Sequence, residues 1–427
     1  MTDPIRTTLH RDLSRRRLLT SAVAATSLQW MSRPTHAAND QVIKVAWVSP
    51  QTGTLSSFGV TDQFAHQLLA PVLTAGLDGP GGVRRRIEVT LHDAASTSAR
   101  AQTLTRDLVN AGVHMVLATA TPEIVNPVSD VCEQAGVPCV SSIVPWQAWF
   151  LARGGDPVKG FNWTYHFFAG LEDFADVYSS LQSNAKLGNR SGGLFGDDID
   201  ADAFLNAFPP AFAKRGIELV VPRRVSLANP DWESVAVKLR DTGIRMVTGV
   251  LPPPVTVAFF KAAEKVGYRP EMASIAKAFP FHETVEQVHR KGLTLTNEVW
   301  WSPAWPFKSS LTGTTAAALV RQYEAHTGRP WLQTLGFSHA LMEVAAEVGR
   351  SAEQPDRAAI RNALRRMRVH TVVGPVNWRD RHPNQNVCTT PAVGGQWTHS
   401  PQGRWNLEVV DNARSPFIPQ TARLTTS

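Results

Sequence analysis

The chain has 427 residues, of which 43% are hydrophobic and 19% charged, an ordinary composition for a soluble globular protein. Its length exceeds what one hydrophobic core usually organises, so we expect two lobes or domains. The formal net charge of +7 is small and the Lys and Arg residues are scattered, which argues against nucleic acid as a partner.

The N-terminus has the residue order of a cleavable export signal. Arginines at positions 15–17 precede a weakly apolar stretch, residues 18–31, and the small-x-Ala end at residues 35–37 follows. This order predicts a signal peptide, residues 1–37, cleaved after Ala37, and the paired arginines indicate the twin-arginine type. The mature protein is then periplasmic. The alternative is a basic amphipathic helix of the mature protein.

Beyond this segment, strand patterns alternate with helix patterns. The first strand runs from Val42 to Ser49, a mostly apolar stretch rich in Val and Ile that stops before Pro50, as a buried parallel strand does. The units after it are strand 87–91, helix 96–110, strand 115–118, helix 123–135 and strand 137–141. This alternation requires right-handed crossovers and a parallel sheet, in which ligands bind at the carboxyl ends of the strands.

A second series of units follows an irregular aromatic stretch at residues 143–160 and predicts a second sheet. Its units are strand 164–168, helix 172–185, strand 192–195, helix 201–215, strand 218–221, helix 232–241, strand 246–251, helix 255–266 and strand 272–275. Later patterns are strand-like at 293–301, helical at 311–327 and 337–351, and strand-like again at 395–398 and 405–410.

The three cysteines leave two interpretations open. Cys132 and Cys139 flank a chain reversal at residues 136–138 that could bring them close enough for a disulfide. They could equally be two small buried hydrophobic residues. Cys388 has no partner in the sequence, and no Cys/His spacing resembles a zinc site.

Motifs of catalysis and cofactor binding are missing from the sequence. It contains no Gly-x-Ser-x-Gly elbow, no His-Glu-x-x-His and no phosphate-binding loop, and the glycines at 79–82 precede a strand, the wrong order for a dinucleotide loop. The aspartates at 197, 198, 200 and 202 lack the glycine and distal glutamate of a calcium loop, so we expect them to cap the next helix. We therefore expect no enzyme, no cofactor and no metal.

Several short motifs occur in an order that resembles one protein family. They are residues 49–53 with 58–59, residues 81–82 with 86–88 and Asp93, residues 135–138, residues 204–212 and residues 374–376. This order resembles the type I periplasmic substrate-binding proteins of ABC importers, in the branched-chain amino-acid (leucine-binding) group.

The resemblance implies an α/β fold of two doubly wound parallel-sheet lobes, joined by three crossovers, that close over a small ligand by hinge motion. Lobe one would take residues 38–163 and 297–372, and lobe two residues 164–296 and 373–427. The implied partners are a small-molecule ligand, a membrane-embedded ABC permease and its ATPase subunits, and the protein itself would be a monomer. A ligand-sensing regulator or receptor sharing the fold is the alternative of another class, but it would not need an export signal.

The resemblance also implies which loops contact the ligand. They follow the first, third and fourth strands, and their implied contact residues are Gln51, Phe58, Thr119, Ala120, Thr121, Ser141 and Ser142. The Thr121 hydroxyl and the backbone N–H groups at a helix start suit a carboxylate, because both attract an anion. Thr121 as a plain helix cap is the alternative.

Two charged positions decide which ligand is expected. Family members hold the ammonium of an amino acid with acidic residues, of which the first is Glu172 here, whereas Lys277 stands where a second acid is expected. A lysine beside a ligand ammonium is unfavourable, so the site need not accept an α-amino acid. A surface lysine paired with Glu172 or with a helix end is the alternative.

Aromatic residues near the expected cleft favour a planar ligand. Trp146, Phe168 and Trp301 are the candidates for stacking, and Trp149, Trp300 and Trp305 lie in similar positions, although packing of the hinge is the alternative for each. We therefore expect a small polar or carboxylate-bearing ligand with an aromatic or apolar body, its charge met by Thr121 and Lys277. A branched-chain amino acid or amide, held by Glu172, is the alternative.

Overall fold

The computed structural model describes residues 41–380, 383–400 and 403–426, so the expected signal peptide lies outside the described residues. The strands are β1 Gln41–Ser49, β2 Leu77–Asp78, β3 Arg84–Asp93, β4 Met115–Thr119, β5 Cys139–Ser142, β6 Thr164–Phe167, β7 Arg190–Phe195, β8 Glu218–Val220, β9 Met246–Val250, β10 Met272–Ala276, β11 Thr294–Val299, β12 Arg368–Thr371, β13 Gly374–Asn377, β14 Val387–Cys388, β15 Val393–His399 and β16 Trp405–Asp411. The helices are α1 Val60–Thr74, α2 Ser98–Asn110, α3 Pro122–Ala135, α4 Trp146–Phe150, α5 Leu171–Asn184, α6 Ile199–Ala213, α7 Trp232–Asp241, α8 Pro253–Lys265, α9 His282–Val288, α10 Ala316–Thr327, α11 Thr334–Ser351 and α12 Arg357–Arg366.

Two seven-stranded sheets form the fold. The first has the order β14-β6-β5-β4-β1-β3-β2, and the second has the order β16-β15-β11-β10-β9-β7-β8. Only β2 in the first sheet and β15 and β16 in the second pair antiparallel. The chain passes between the sheets after β6, after β11 and after β14, which confirms the predicted two-lobe α/β fold with three crossovers.

Local sequence explains the central elements. The Val- and Ile-rich strand β1 pairs in parallel with both β3 and β4, and every side chain from Val45 to Ser49 is buried. Helix α3 begins at Pro122, whose fixed φ suits a first helical position, and it ends at Gly136, whose φ of 67° is cheap only for glycine. The carboxyl end of β4 therefore feeds a helix start at Thr121.

The assignment of one strand to the second sheet is wrong. The strand predicted at residues 164–168 is β6, which pairs with β5 in the first sheet rather than opening the second. Sequence periodicity marks a strand but not its partner, and the crossing to the second sheet comes one unit later, through α5. The lobe ranges remain a prediction. The pairing of β6 with β5 would move residues 164–167 from lobe two to lobe one.

Of the two interpretations of Cys132 and Cys139, the disulfide is not formed in this structure. Cys132 and Cys139 are both free thiols with no exposed surface, and Cys388 is also free and buried. Burial and the neighbouring Cys139 thiol raise the pKa of Cys132 well above its usual value, so it remains protonated. The reading of this pair as small buried hydrophobic residues therefore fits the structure.

Among the described residues, no helix is long and apolar enough to cross a membrane.

Candidate functional site

A cavity lies between the two sheets, at the carboxyl ends of their parallel strands. Its lining residues come from both sheets and from the crossing between them: Phe58, Thr121, Pro122, Ile143, Pro145, Phe168, Phe174, Asp200, Phe204, Val250, Ala276, Lys277, Pro280, Glu298 and Trp300. This edge is where ligands bind in open α/β sheets. The cavity is therefore the candidate ligand site.

Aromatic rings form one continuous wall of the cavity. Phe168 meets Trp300 edge to face with ring centroids 5.3 Å apart, and it meets Phe174 at 6.1 Å. Phe174 in turn lies 6.2 Å from Phe204. Such a wall gives a planar or apolar body several faces and edges to pack against.

The cleft is closed in this structure. Phe58, from the loop after β1, meets Phe281, from the loop after β10, edge to face at 4.8 Å, so the two sheets touch across the cleft. The cavity between the lining side chains has a volume of about 40 Å³. Because one water occupies roughly 10–15 Å³ of such a cavity, only about three waters would fit. A larger solute requires the two sides to move apart.

Three loops at this edge have strained backbones. Ala120, Ile143 and Lys277 each follow a strand directly, after β4, β5 and β10, and each has a positive φ, of 119°, 69° and 67°. Such values cost about 1–3 kcal/mol for residues other than glycine, and they persist only where the surroundings impose them. Ile143 and Lys277 line the cavity and Ala120 directly precedes the lining residue Thr121, so the strain lies at or beside the site, where it commonly accompanies ligand binding.

Lys277 lies at the centre of a cluster of charges in which Lys277 and Asp200 are buried and Glu123 and Asp198 are partly exposed. Its side chain is 8% exposed, and its ammonium contacts Glu123 Oε1 at 3.1 Å, Asp198 Oδ2 at 3.6 Å and the carboxylate of Asp200. Glu123 belongs to α3, beside the first sheet, whereas the aspartates lie at the start of α6, beside the second. The cluster therefore bridges the cleft.

The carboxylates of this cluster could hold a metal ion by spacing alone. One oxygen each from Glu123, Asp198 and Asp200 lies within 4.8 Å of the others. In this structure the Lys277 ammonium supplies the positive charge among these three carboxylates. Asp198 also has a second role. Asp198 Oδ1 accepts a hydrogen bond of 2.9 Å from the Ala201 N–H, so Asp198 caps its helix as the sequence predicts.

Burial and charge set the protonation of the cluster. Burial raises the pKa of Asp200 to about 7, against the lowering effect of the Lys277 ammonium. Burial also raises the pKa of Glu123, but the Lys277 ammonium, the Thr121 hydroxyl and the Glu123 backbone N–H together outweigh it and hold this pKa below its usual value. Burial lowers the pKa of Lys277, yet attraction to Asp200, Glu123 and Asp198 raises it well above its usual value. Lys277 is therefore a permanent cation.

Glu298 is a second buried carboxyl group of the cavity. It is 2% exposed, and the Tyr178 hydroxyl donates a hydrogen bond to its Oε2. Burial raises the pKa of Glu298 to about 7, although hydrogen bonds from Tyr178 and Trp300 lower it. At neutral pH this group can accept or donate a hydrogen bond at low cost.

Four of the predicted site residues line the cavity: Phe58, Thr121, Phe168 and Lys277. Thr121 is 2% exposed, and its hydroxyl, beside the Glu123 carboxylate, has no hydrogen-bond partner of ordinary geometry. A buried hydroxyl without a partner costs free energy, so this group is available to a ligand.

The side chains of other predicted residues at the strand ends make contacts within the protein instead. Thr119 donates to Asp62 Oδ2 at 2.6 Å, and Gln51 donates to Ser49 Oγ at 2.7 Å. Ser142 donates to the Phe167 carbonyl at 2.6 Å, Ser141 Oγ lies 2.9 Å from His166 Nδ1, and Ala120 is fully buried. None of these residues lines the cavity.

Trp146, Glu172 and Trp301 also lie outside the cavity. The Trp146 indole donates to Glu172 Oε1 at 3.0 Å, and Glu172 is exposed at the start of α5. Trp301 is fully buried, donates to the Val372 carbonyl at 3.2 Å and packs in the crossing between the sheets. Its neighbour Trp300 faces the cavity instead.

Sequence reasoning missed several lining residues, notably Phe174, Asp200, Phe204 and Glu298. Phe174 and Phe204 read as core positions of amphipathic helices, and both are indeed buried. Glu298 carried the better signal, because it lies inside a predicted strand two residues before a pair of tryptophans, and a glutamate is rarely buried without a partner or a role.

Comparisons with known proteins agree with this geometry. A family model described as a periplasmic binding protein matches residues 42–396. No curated protein sequence matches the chain.

Solved structures of similar fold are numerous, and three illustrate them. The substrate-binding protein LivJ from Streptococcus pneumoniae, in complex with isoleucine, is 16% identical with a TM-score of 0.69, over 87% of this chain and 100% of that one. A solute-binding protein from Rhodopseudomonas palustris in complex with 3,4-dihydroxybenzoic acid is 18% identical with a TM-score of 0.66, over 88% and 99%. A type 1 periplasmic binding protein from Bordetella pertussis is 14% identical with a TM-score of 0.71, over 87% and 100%.

Proposed function

Because the chain belongs to the periplasmic binding protein family, we propose that it captures a small solute between its two sheets and delivers it to an ABC importer. The observation that carries this proposal is the cavity at the carboxyl ends of the strands, which both sheets line. A site shared by two lobes couples binding to closure, and closure is what a permease can recognise. The same family supports solute binding rather than catalysis as the role that we propose.

We assign the solute an apolar or aromatic body and a polar end. Five aromatic side chains line the cavity and offer the body its packing partners. The polar end would meet the unpartnered Thr121 hydroxyl and the Glu298 carboxyl group. The dihydroxybenzoic acid complex of the Rhodopseudomonas protein is a precedent for an aromatic solute in this fold.

The role expected for Lys277 from the sequence has to change. Its ammonium is already balanced by Glu123, Asp198 and Asp200, so it offers a ligand carboxylate little net attraction. The Glu123 carboxylate also lies at the start of α3, where the Thr121 hydroxyl and the Glu123 backbone N–H both lower its pKa, so it takes the position that was expected for a ligand carboxylate. Thr121 remains the polar contact at this helix start.

A branched-chain amino acid or amide is the second candidate. The isoleucine complex of the pneumococcal protein favours it, because that protein shares the fold. Its ammonium would need an acidic partner, but Glu172 is exposed and outside the cavity.

A thermal-shift screen of the mature protein tests the proposal. Residues 38–427 would be heated with aromatic acids, phenols, amides, amino acids and dicarboxylates, because a ligand bound only by the native state raises the melting temperature. We expect a concentration-dependent rise with an aromatic solute. If no member of these classes shifts the melting temperature, the proposed ligand class is wrong.

We further propose export through the twin-arginine route, with Ala38 as the mature N-terminus. Changing Arg15 and Arg16 to lysine should leave an unprocessed precursor in the cytoplasm. Normal processing of that variant would contradict the route.

A further inference from the structure

Lys277 occupies an unusual position for a lysine at a ligand site. It lines the cavity, yet its ammonium points into three carboxylates rather than standing free. Its φ of 67° is a conformation that favours glycine, so the surroundings hold the backbone in a form that the lysine itself does not prefer. The lysine is therefore held in place by its charged neighbours.

The carboxylates around Lys277 form a site for a cation. Glu123 reaches it from the first sheet, and Asp198 and Asp200 reach it from the second. Burying two or three carboxylates so close together is costly unless a positive charge lies among them. In a binding protein that closes around its ligand, an ammonium group of the ligand could supply that charge. In this chain, a residue of the protein supplies it.

We propose that Lys277 is a specificity-determining residue that fills the cation position of the cleft, so that the protein selects solutes without an ammonium group. This inference rests on the proposed function and names the solute class more narrowly: a neutral or acidic molecule with an apolar or aromatic body. To pair its own ammonium with these carboxylates, an amino acid would have to displace the Lys277 ammonium, which already fills the cation position. The same ammonium joins the sheets through Glu123 without any charge from the solute.

The test removes the ammonium and returns it as a small molecule. Lys277→Gly deletes the side chain at a backbone conformation that glycine adopts readily, which offsets part of the cost of leaving the carboxylates without their cation. Lys277→Met deletes the charge but keeps the length of the side chain, which leaves no room for an added amine. Lys265→Ala is the control for loss of a lysine, because Lys265 is exposed and pairs with Glu233 on the surface.

The probe is n-butylammonium, which matches the lysine side chain in length, and the measurement is the melting temperature at constant ionic strength. We expect butylammonium to raise the melting temperature of Lys277→Gly in a saturable way, with an apparent affinity at least about tenfold higher than for wild type, Lys277→Met or Lys265→Ala. Adding Glu123→Gln to Lys277→Gly should weaken this response.

Two results would overturn the inference. One is that Lys277→Gly responds to butylammonium no more than Lys277→Met does. The other is that wild type binds L-leucine as tightly as Lys277→Gly does, since the lysine would then exclude nothing. Failure of the proposed function would look different. In that case no solute of any class would shift the wild-type melting temperature, but the response of Lys277→Gly to butylammonium could still be measured.

Discussion

Thr119, the last residue of β4, and Thr121, two residues later, differ in what their hydroxyl groups contact. Thr119 donates to the buried Asp62 and accepts from the Trp47 indole at 3.2 Å, whereas the Thr121 hydroxyl lines the cavity beside the Glu123 carboxylate without a hydrogen bond of ordinary geometry. The sequence predicted both as ligand contacts. It could not separate them, because the direction of each side chain depends on the positive φ of Ala120 between them.

Substituting these two threonines should therefore change different quantities: solute affinity for Thr121 and stability for Thr119. Thr121→Val should weaken solute binding by about 1 kcal/mol, roughly fivefold, with little change in stability, because it removes one hydrogen bond to the ligand. Thr119→Val should instead lower stability by about 1–3 kcal/mol, since Asp62 loses a buried donor. Calorimetric titration and urea unfolding measure the two effects. Unchanged affinity in Thr121→Val would show that this hydroxyl does not face the solute.

The raised pKa of Glu298 has a measurable consequence for stability. Burial raises the pKa of this carboxyl group from 4.5 to about 7, so the folded protein holds its proton more tightly than the unfolded chain does. Below pH 4.5 the group is neutral in both states and costs nothing. As the pH rises from 4.5 to 7, the unfolded chain ionises first, and stability is lost by an amount on the order of 3 kcal/mol.

Glu298→Gln should remove this pH dependence. The difference in unfolding free energy between the variant and wild type should shift in favour of the variant by about 3 kcal/mol from pH 4.5 to pH 7.5. Subtracting wild type at each pH cancels the contributions of other titrating groups. The exposed Glu286, replaced in Glu286→Gln, controls for the substitution itself. A difference that stays constant with pH would mean that Glu298 ionises normally in the folded protein.

At the scale of elements, one buried carboxyl group joins the strand ends of the first sheet. Asp62 of α1 accepts hydrogen bonds from Ser49 at the end of β1, from Thr119 at the end of β4 and from Ser338 of α11, at 2.6, 2.6 and 2.5 Å. Burial raises the pKa of Asp62 to about 6 despite these donors. The network positions the loops that lead to Phe58 and Thr121.

Asp62→Ala should loosen this edge of the sheet. It leaves several buried hydroxyl groups without their acceptor, so we expect a loss of about 2–3 kcal/mol in unfolding free energy, measured by urea unfolding. Asp78→Ala is the control, because the Asp78 side chain is 90% exposed and its ion pair with Arg84 should contribute little. Equal effects of the two substitutions would mean that the network adds nothing to stability.

At the scale of the whole molecule, the sequence predicted the kinds of elements better than their partners. Periodicity marked most strands and helices, and helix 232–241 agrees with α7 at both ends. It missed α12, whose last turn is crowded with arginines, and the two-residue strand β14, which is too short to show a pattern. Sheet membership of β6 depends on contacts distant in sequence, which no local pattern contains.

The sequence predicted where the candidate site lies but not how the charge of Lys277 is balanced there. Strand ends and the family resemblance pointed to the loops of Phe58, Thr121, Phe168 and Lys277, all of which line the cavity. The acidic partners of Lys277 come from two helices on opposite sides of the cleft, so only the folded chain shows that its charge is already balanced.

The most direct test of the account is whether a solute draws the two lobes together. The structure has a closed cleft, with Phe58 against Phe281 and Glu123 against Lys277, and too little space to admit an aromatic solute without opening. Small-angle X-ray scattering of the mature protein, with and without a saturating solute from the thermal-shift screen, measures this closure. Because this closed form excludes the solute, the free protein must open to admit it, and we predict that the solute-bound protein has a smaller radius of gyration than the open form that the free protein populates in solution. Identical scattering curves with a tightly bound solute would contradict binding between the lobes.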